Sequence, residues 1–496
     1  MKNMLKFFDF GNEAGDDMTK QELQACFVTL PSCSTFLNLY KNFVVASAKK
    51  GIGKSALIQY LYWNILETRE NALVIRCRGA ELTRSCFNLT STLDSPNDYI
   101  RDWMVRLCTM INREIARNIN FALTSDEITL VESAEIDGFK SKNLVGCLLS
   151  RFKSALGKMY PEKESVKDQV EMLKKLDKKN EVWILIDDLD ATFQNTEKER
   201  LSMSTFFSAC RYLLQDNQGL NIRVTMRSDV LPIIRRYDES LDKLDQYVHE
   251  IEWEMDDFRR FLYKRIEAHL LQNQESLPFR KVGISDEEYE EFVIEKLFDH
   301  KAEWGGKGQY LYRIVYTLSY MRPRWAIQLC KLCQQNANRR KMSIITKQDI
   351  DDVWGDYGQK RIADLVIEHR HQCKQIESIV YAFKGCNCLF GQDELFGHIN
   401  RTILNHVQII IDDSKTTSPK DIARFLFRTG FIVARSDAED GSYQHYSFRE
   451  MPELLASNTS NDYGVKWEIH PCYRQALDIK QIDSAKKIRM GRSFME

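Results

Sequence analysis

The chain has 496 residues, 43% of them hydrophobic and 28% charged, with a formal net charge of -1. This length predicts two to four domains with ordinary buried cores. The balanced charge excludes a globally basic nucleic-acid binder and leaves only local contacts of that kind.

In chain order, residues 42–48 (NFVVASA) form a short apolar run with β-branched residues and predict a buried strand. Residues 55–67 are amphipathic and predict a helix. A second strand is expected over 72–78 (ALVIRCR), then a mostly helical stretch over about 81–178. Residues 182–186 (VWILI) are fully apolar and predict another strand. A helix over about 198–215 and a strand over 221–226 (NIRVTM) follow. Strands alternating with helices imply a parallel sheet covered on both faces. From about 256 to 338 the pattern is helical throughout. Beyond about 384 the chain turns to helices followed by 430–435, a polar turn and 443–448. That order predicts a winged-helix module ending in a two-stranded ribbon.

Between the first strand and its helix lies Ala48-Lys49-Lys50-Gly51-Ile52-Gly53-Lys54-Ser55. It follows the phosphate-loop pattern G-x-x-x-x-G-K-[ST], with alanine at the first glycine. Small residues let the backbone turn so that N–H groups converge on phosphates, and the helix N-terminus adds partial positive charge. The cofactor-binding residues expected here are Gly51, Ile52, Gly53, Lys54, Ser55 and Ala56. Lys54 reaches the β and γ phosphates, and the Ser55 hydroxyl ligates magnesium. The plainer reading is a lysine-rich loop at a helix start, but strand, glycines and helix all agree with the phosphate loop.

The strand at 182–186 runs into Asp187-Asp188-Leu189-Asp190. A buried parallel strand beside the phosphate-loop strand would project Asp187 toward the magnesium. Asp188 is then placed to orient or deprotonate the attacking water, with Asp190 in support. The alternative is a solvated acidic turn. After the next strand come Arg227-Ser228-Asp229, where Arg227 is expected to sense the γ phosphate; the alternative is a capping turn with Arg227 exposed. Arg322-Pro323-Arg324 opens a helix, with proline suited to its first turn. Its arginines are expected to reach phosphates from a lid or a neighbouring subunit, against a plainer role in surface ion pairs.

The fold class expected is thus α/β, with a P-loop NTPase core and parallel sheet over 1–254 carrying a helical insertion at about 81–178. A helical lid over 255–384 and a winged-helix-like domain over 385–496 follow. The 13 cysteines are scattered and odd in number, which reads as reduced thiols rather than a disulfide frame. Cys330/Cys333 and Cys386/Cys388, with His369 and His371, match no standard zinc spacing. His470-Pro471 reads as a packed histidine at a turn, and the basic run at 486–492 as a solvated terminus. No signal-peptide pattern or membrane-length apolar run is present, so a cytoplasmic protein without membrane contact is expected.

Together these residues resemble P-loop ATPases of the AAA+/STAND division, and more narrowly the bacterial P-loop ATPase family of the Sll1717 type. The resemblance rests on Phe10-Gly11-Asn12-Glu13-Ala14-Gly15-Asp16, the phosphate loop, Ile186-Asp187-Asp188-Leu189-Asp190 and Met226-Arg227-Ser228-Asp229. It continues through Asp242-Lys243-Leu244 to Trp253, Arg322-Pro323-Arg324 and Trp467-Glu468-Ile469-His470-Pro471. It implies that Gly11 and Asn12 lie near the adenine, and that the cofactors are ATP and Mg2+. It also implies an ATPase switch that forms a homo-oligomer and acts with a separate effector or sensor protein, in a setting such as bacterial anti-phage defence; alanine in place of the first loop glycine adds the expectation of slow turnover. Ala48 and Trp325, where glycine and an acid are common, depart from the pattern. The competing reading is a nucleic-acid-binding winged-helix protein for which ATP is a structural or regulatory ligand.

Overall fold

The computed structural model describes residues 4–480 apart from 85–94, 119–180, 217–218, 236–243, 274, 276, 305–306, 439–442, 457–461 and 463. The chain divides into two compact units. One is Ala14–Glu252; the other joins Met1–Glu13 to Trp253–Glu496.

The first unit is built on five parallel strands: β1 (Phe43–Ala48), β2 (Ala72–Arg78), β3 (Glu181–Asp187), β4 (Leu220–Arg227) and β5 (Val248–Glu250). Their order across the sheet is β2-β3-β4-β1-β5. Continuous apolar runs explain the central position of β1, β3 and β4, which are buried along nearly their whole length. The expectation that the acidic strand lies beside the phosphate-loop strand is corrected: β4 pairs with β1 on one side and β3 on the other. Both motif strands still end at the same edge because all are parallel. Trp103 of the Pro96–Asn118 helix donates its indole N–H to Ser202 O of the Glu197–Asp216 helix at 2.6 Å. Both helices feed a core that includes Val45, Ile75, Ile184, Phe206 and Ile222. The helices Gly79–Arg84 and Pro96–Asn118 fall within the expected insertion; its remainder lies outside the described residues, as does the basic run at 486–492.

The second unit is mainly helical at first, with Met255–Gln272, Pro323–Arg339 and Lys347–His369 as long helices. The stretch expected to be helical throughout is interrupted by an antiparallel pair, β6 (Lys301–Trp304) and β7 (Lys307–Tyr310). Its C-terminal part carries a small antiparallel pair, β9 (Ile409–Ile411) with β10 (Ser414–Thr416). It also holds a four-stranded sheet ordered β12-β11-β13-β8. Those strands are β8 (Leu389–Phe390), β11 (Ile432–Asp437), β12 (Tyr443–Tyr446) and β13 (Val465–Ile469). The expected ribbon is therefore half of a larger sheet, because Trp467 and Ile469 of β13 are fully buried beside β11. The Pro419–Thr429 helix leads into β11 through Gly430, whose φ of +77° ends the helix. Residues 4–13 belong to this unit through Phe8 and Phe10, whose rings meet His269 and Phe298. Among the described residues no helix is long and apolar enough to cross a membrane, and the cysteines are free thiols.

Candidate functional site

The site is assembled at the C-terminal edge of the parallel sheet. Strand β1 ends at Ala48, and the chain turns through Gly51 and Gly53 with φ of +84° and +116°. Gly53 precedes the Lys54–Thr68 helix in the left-handed region, and no side chain caps that helix. A side chain at Gly53 would meet no neighbour, so its constraint is the backbone angle alone. Its first-turn N–H groups are the kind a helix leaves without intrahelical acceptors. Ile52 is buried and anchors the loop.

Lys54 is 6% exposed, an unusual position for a lysine without an oxygen partner. Its Nζ lies 3.4 Å from Asp188 Oδ1 and 3.5 Å from Ala48 O. Asp188 itself holds a left-handed backbone, φ +47°, where a non-glycine residue is uncommon. That turn aims its Oδ1 inward; the atom is buried and has no hydrogen bond, while the side chain as a whole is half exposed. Gly79, at the end of β2, packs on this turn so tightly that a Cβ there would stand 2.3 Å from Asp188 O.

Asp187 accepts a hydrogen bond from Thr225 Oγ1 at 2.7 Å and is also hydrogen-bonded to the side chain of Ser55. Thr225 in turn accepts from the Asp188 N–H at 2.9 Å. Burial, and next the Asp188 charge, push the Asp187 carboxyl above the ordinary carboxylate range. The Thr225 and Ser55 hydrogen bonds and the Lys54 charge oppose that rise. The set fits magnesium: a hydroxyl and a carboxylate sit within one hydrogen bond, both oxygen donors, with the buried Asp188 oxygen beside them.

Arg227, paired across β4–β1 with Ala48, is held by Asp190. Its backbone N–H donates to Asp190 Oδ1 at 3.0 Å and its Nε to Oδ2 at 2.5 Å. Asp190 is 1% exposed, so the acid expected in support is the anchor of the arginine.

The remaining expected site residues lie in the other unit. Gly11, φ +79°, follows Phe10, whose carbonyl accepts from Arg265 Nη1 at 2.6 Å. Gly11 and Asn12 thus belong to a segment fastened to the Met255–Gln272 helix. Arg322, expected to reach phosphates, is instead interior: it is 2% exposed and ion-paired to buried Glu368 at 2.7 Å. Trp325 lies between two cations, with Arg322 at 4.2 Å and Arg361 at 4.4 Å from its ring centre. The departure from an acid at 325 therefore has a packing explanation. Arg324 is half-buried and donates to Glu13 O at 3.3 Å. His470 is buried, accepts from the Cys472 N–H and stacks near Tyr320. Among the described residues no cluster of three or more metal-ligating side chains occurs.

Sequence reasoning missed Thr225, which links Asp187 to the Asp188 backbone, and Gly15, where a Cβ would lie 2.4 Å from the Ala56 Cβ. A threonine two residues before the strand-end arginine was the available signal for the first; the second carried none beyond being a glycine.

Residues 261–366 match the model of the FunZ-associated C-terminal helical domain. None of the comparisons points to the Sll1717-type family. None of the curated proteins matches the chain. Among solved structures, the chain is similar to the Aeropyrum pernix ORC2 protein in its ADPNP–ADP complexes, at 11% identity and a TM-score of 0.39, covering 94% of this chain and 95% of that one. It is also similar to the Aeropyrum pernix ORC1 protein in complex with DNA, at 10% identity and 0.33, covering 98% and 97%. A third is Cdc6p from Pyrobaculum aerophilum, at 10% and 0.31, covering 96% of each.

Proposed function

We propose that the chain is an ATP-binding, slowly hydrolysing regulatory ATPase whose nucleotide site is the edge of the first unit. One observation carries this reading: Ser55 of the glycine loop meets Asp187, the last residue of β3, and Lys54 meets Asp188, which follows it. A phosphate chain entering the loop would meet N–H groups, the Lys54 ammonium and a helix N-terminus together. Ser55 and Asp187 would hold magnesium, which when bound neutralises charge on the phosphate oxygens. Lys54 exchanges its contacts with Ala48 O and Asp188 for phosphate oxygens. That exchange frees the Asp188 carboxylate to orient and accept a proton from water. Arg227 reports the γ phosphate by leaving Asp190.

Oligomerisation, a separate effector partner and a role in anti-phage defence rest on the resemblance to AAA+/STAND ATPases alone. The nucleic-acid reading has less behind it, because three arginines near the C-terminal sheet are already engaged. Arg428 pairs with Asp412, Arg424 donates to Leu454 O, and Arg435 pairs with Asp437 and Glu468.

The test is ATP binding and turnover by the full chain. Lys54→Ala is expected to abolish ATP binding, and Asp188→Asn to keep binding and lose turnover. Unchanged ATP affinity in Lys54→Ala overturns the proposal. Mass in solution with and without ATP and magnesium tests the switch.

A further inference from the structure

At the opposite end of the same sheet, the chain forms a second cleft, of about 500 Å³. It opens where β1 and β5 begin, with Phe43 and His249 on its wall. β1 runs for six residues from there to Ala48. At about 3.3 Å per residue this places the cleft about 20 Å from the glycine loop. The two sites are therefore distinct.

Among the described residues the cleft is lined by three basic side chains, Lys41, Arg211 and His249, and by no acidic one. Gln215, Gln246 and Tyr247 add polar groups, and the Tyr247 ring packs 5.1 Å from that of Phe43. Among the described residues neither Lys41 nor Arg211 has a carboxylate partner. Basic groups that converge on one concavity with no carboxylate beside them among the described residues are what an anion requires.

The wall behind them is built rather than incidental. Arg223 on β4 is wholly buried, yet among the described residues it meets no carboxylate. Its guanidinium donates to Phe36 O, Asn38 O and Lys41 O at 2.9, 2.7 and 2.7 Å and lies over the Trp183 ring. Burial brings it down to about 9, still protonated at neutral pH. It therefore fixes the backbone from Phe36 to Lys41, which carries one edge of the cleft, and adds positive charge behind that edge. Burying a cation against carbonyls alone is costly, and the segment it organises is the one that presents Lys41.

We propose that this cleft binds a phosphate-bearing small molecule of about mononucleotide size. The volume falls in the range of small-ligand sites. Lys41 and Arg211 supply charge, His249 and the amide side chains supply directed hydrogen bonds, and Tyr247 offers a ring to a base or other flat group. The proposal does not depend on nucleotide at the glycine loop.

The experiment uses the full chain carrying Lys54→Ala, which silences the glycine loop, titrated calorimetrically with pyrophosphate and separately with adenosine monophosphate. Binding is expected, and Lys41→Ala with Arg211→Ala in that background should weaken it by about tenfold or more, the loss of two charge-assisted contacts. Tighter binding of adenosine monophosphate than of pyrophosphate identifies a nucleotide; tighter pyrophosphate identifies a simple phosphate ligand. The Lys41→Ala/Arg211→Ala pair in otherwise wild-type chain should bind ATP at the glycine loop as before, which shows that the unit still folds. Absence of binding by either probe, or binding indifferent to the two substitutions, overturns the proposal.

Discussion

Glu368→Ala removes the carboxylate that neutralises Arg322 inside the second unit. Both groups are at most 3% exposed, and their contact is a 2.7 Å charge-assisted hydrogen bond. The substitution leaves a buried guanidinium against the Tyr320 and Trp325 rings without its carboxylate, with little access to water. Breaking a buried pair from one side costs about 3–5 kcal/mol. For a unit of this size a melting shift of about 2–4 °C per kcal/mol follows, so a fall of about 6–20 °C is expected. Arg322→Met with Glu368→Leu should recover most of that loss, since apolar replacement of a buried pair is often neutral. Scanning calorimetry of the three proteins, with ATP affinity measured alongside, decides the matter. A Glu368→Ala melt within about 2 °C of wild type refutes the burial argument. A stable double variant that has lost ATP affinity would return Arg322 to the phosphates.

Asp187→Asn should raise the melting temperature of nucleotide-free protein at neutral pH and remove the dependence of ATP binding on magnesium. The sign follows from the raised carboxyl: its charge costs the folded state above the folded value, and stability returns as pH falls through that value. Thr225→Val deletes a hydroxyl that serves both Asp187 and the Asp188 N–H, and should cost about 1–3 kcal/mol in stability, with lower turnover, read by denaturant unfolding and phosphate release. Glu468 gives the opposite pH behaviour. Burial alone would raise it, but Arg474, His445 and Arg435 outweigh burial and hold it well below the carboxylate range. Its contribution is complete above the unfolded value of 4.5 and fades as pH falls below it. Glu468→Gln should therefore be less stable than wild type at neutral pH, with the gap narrowing below about pH 4.5 in thermal melts.

Much of the first unit was legible because its signals are local. A strand buried on both faces must be apolar throughout, and NFVVASA and VWILI are. Strand order was not legible, since nothing in β1 or β3 records which strand lies between them. β5 is three residues long, too short for any period to appear. The β6–β7 pair did carry a signal in the sequence, Gly305-Gly306 between two four-residue runs, a dipeptide that favours hairpins and that the surrounding helical pattern obscured. At the candidate site, residue types revealed the loop and the acids. Long-range pairing decided the rest. Arg322 has an ordinary sequence context for a surface arginine, and only the distant Glu368 makes it interior.

Strand β4 separates the glycine loop from the acidic strand and touches both. Thr225 and Arg227 stand two residues apart on it, on one face, and they grip Asp187 and Asp190 respectively. Both acids, at and just past the end of β3, are thus fastened to one neighbouring strand. A substitution that changes the course of β4 would therefore reach positions 187 and 190 together, although neither lies on that strand.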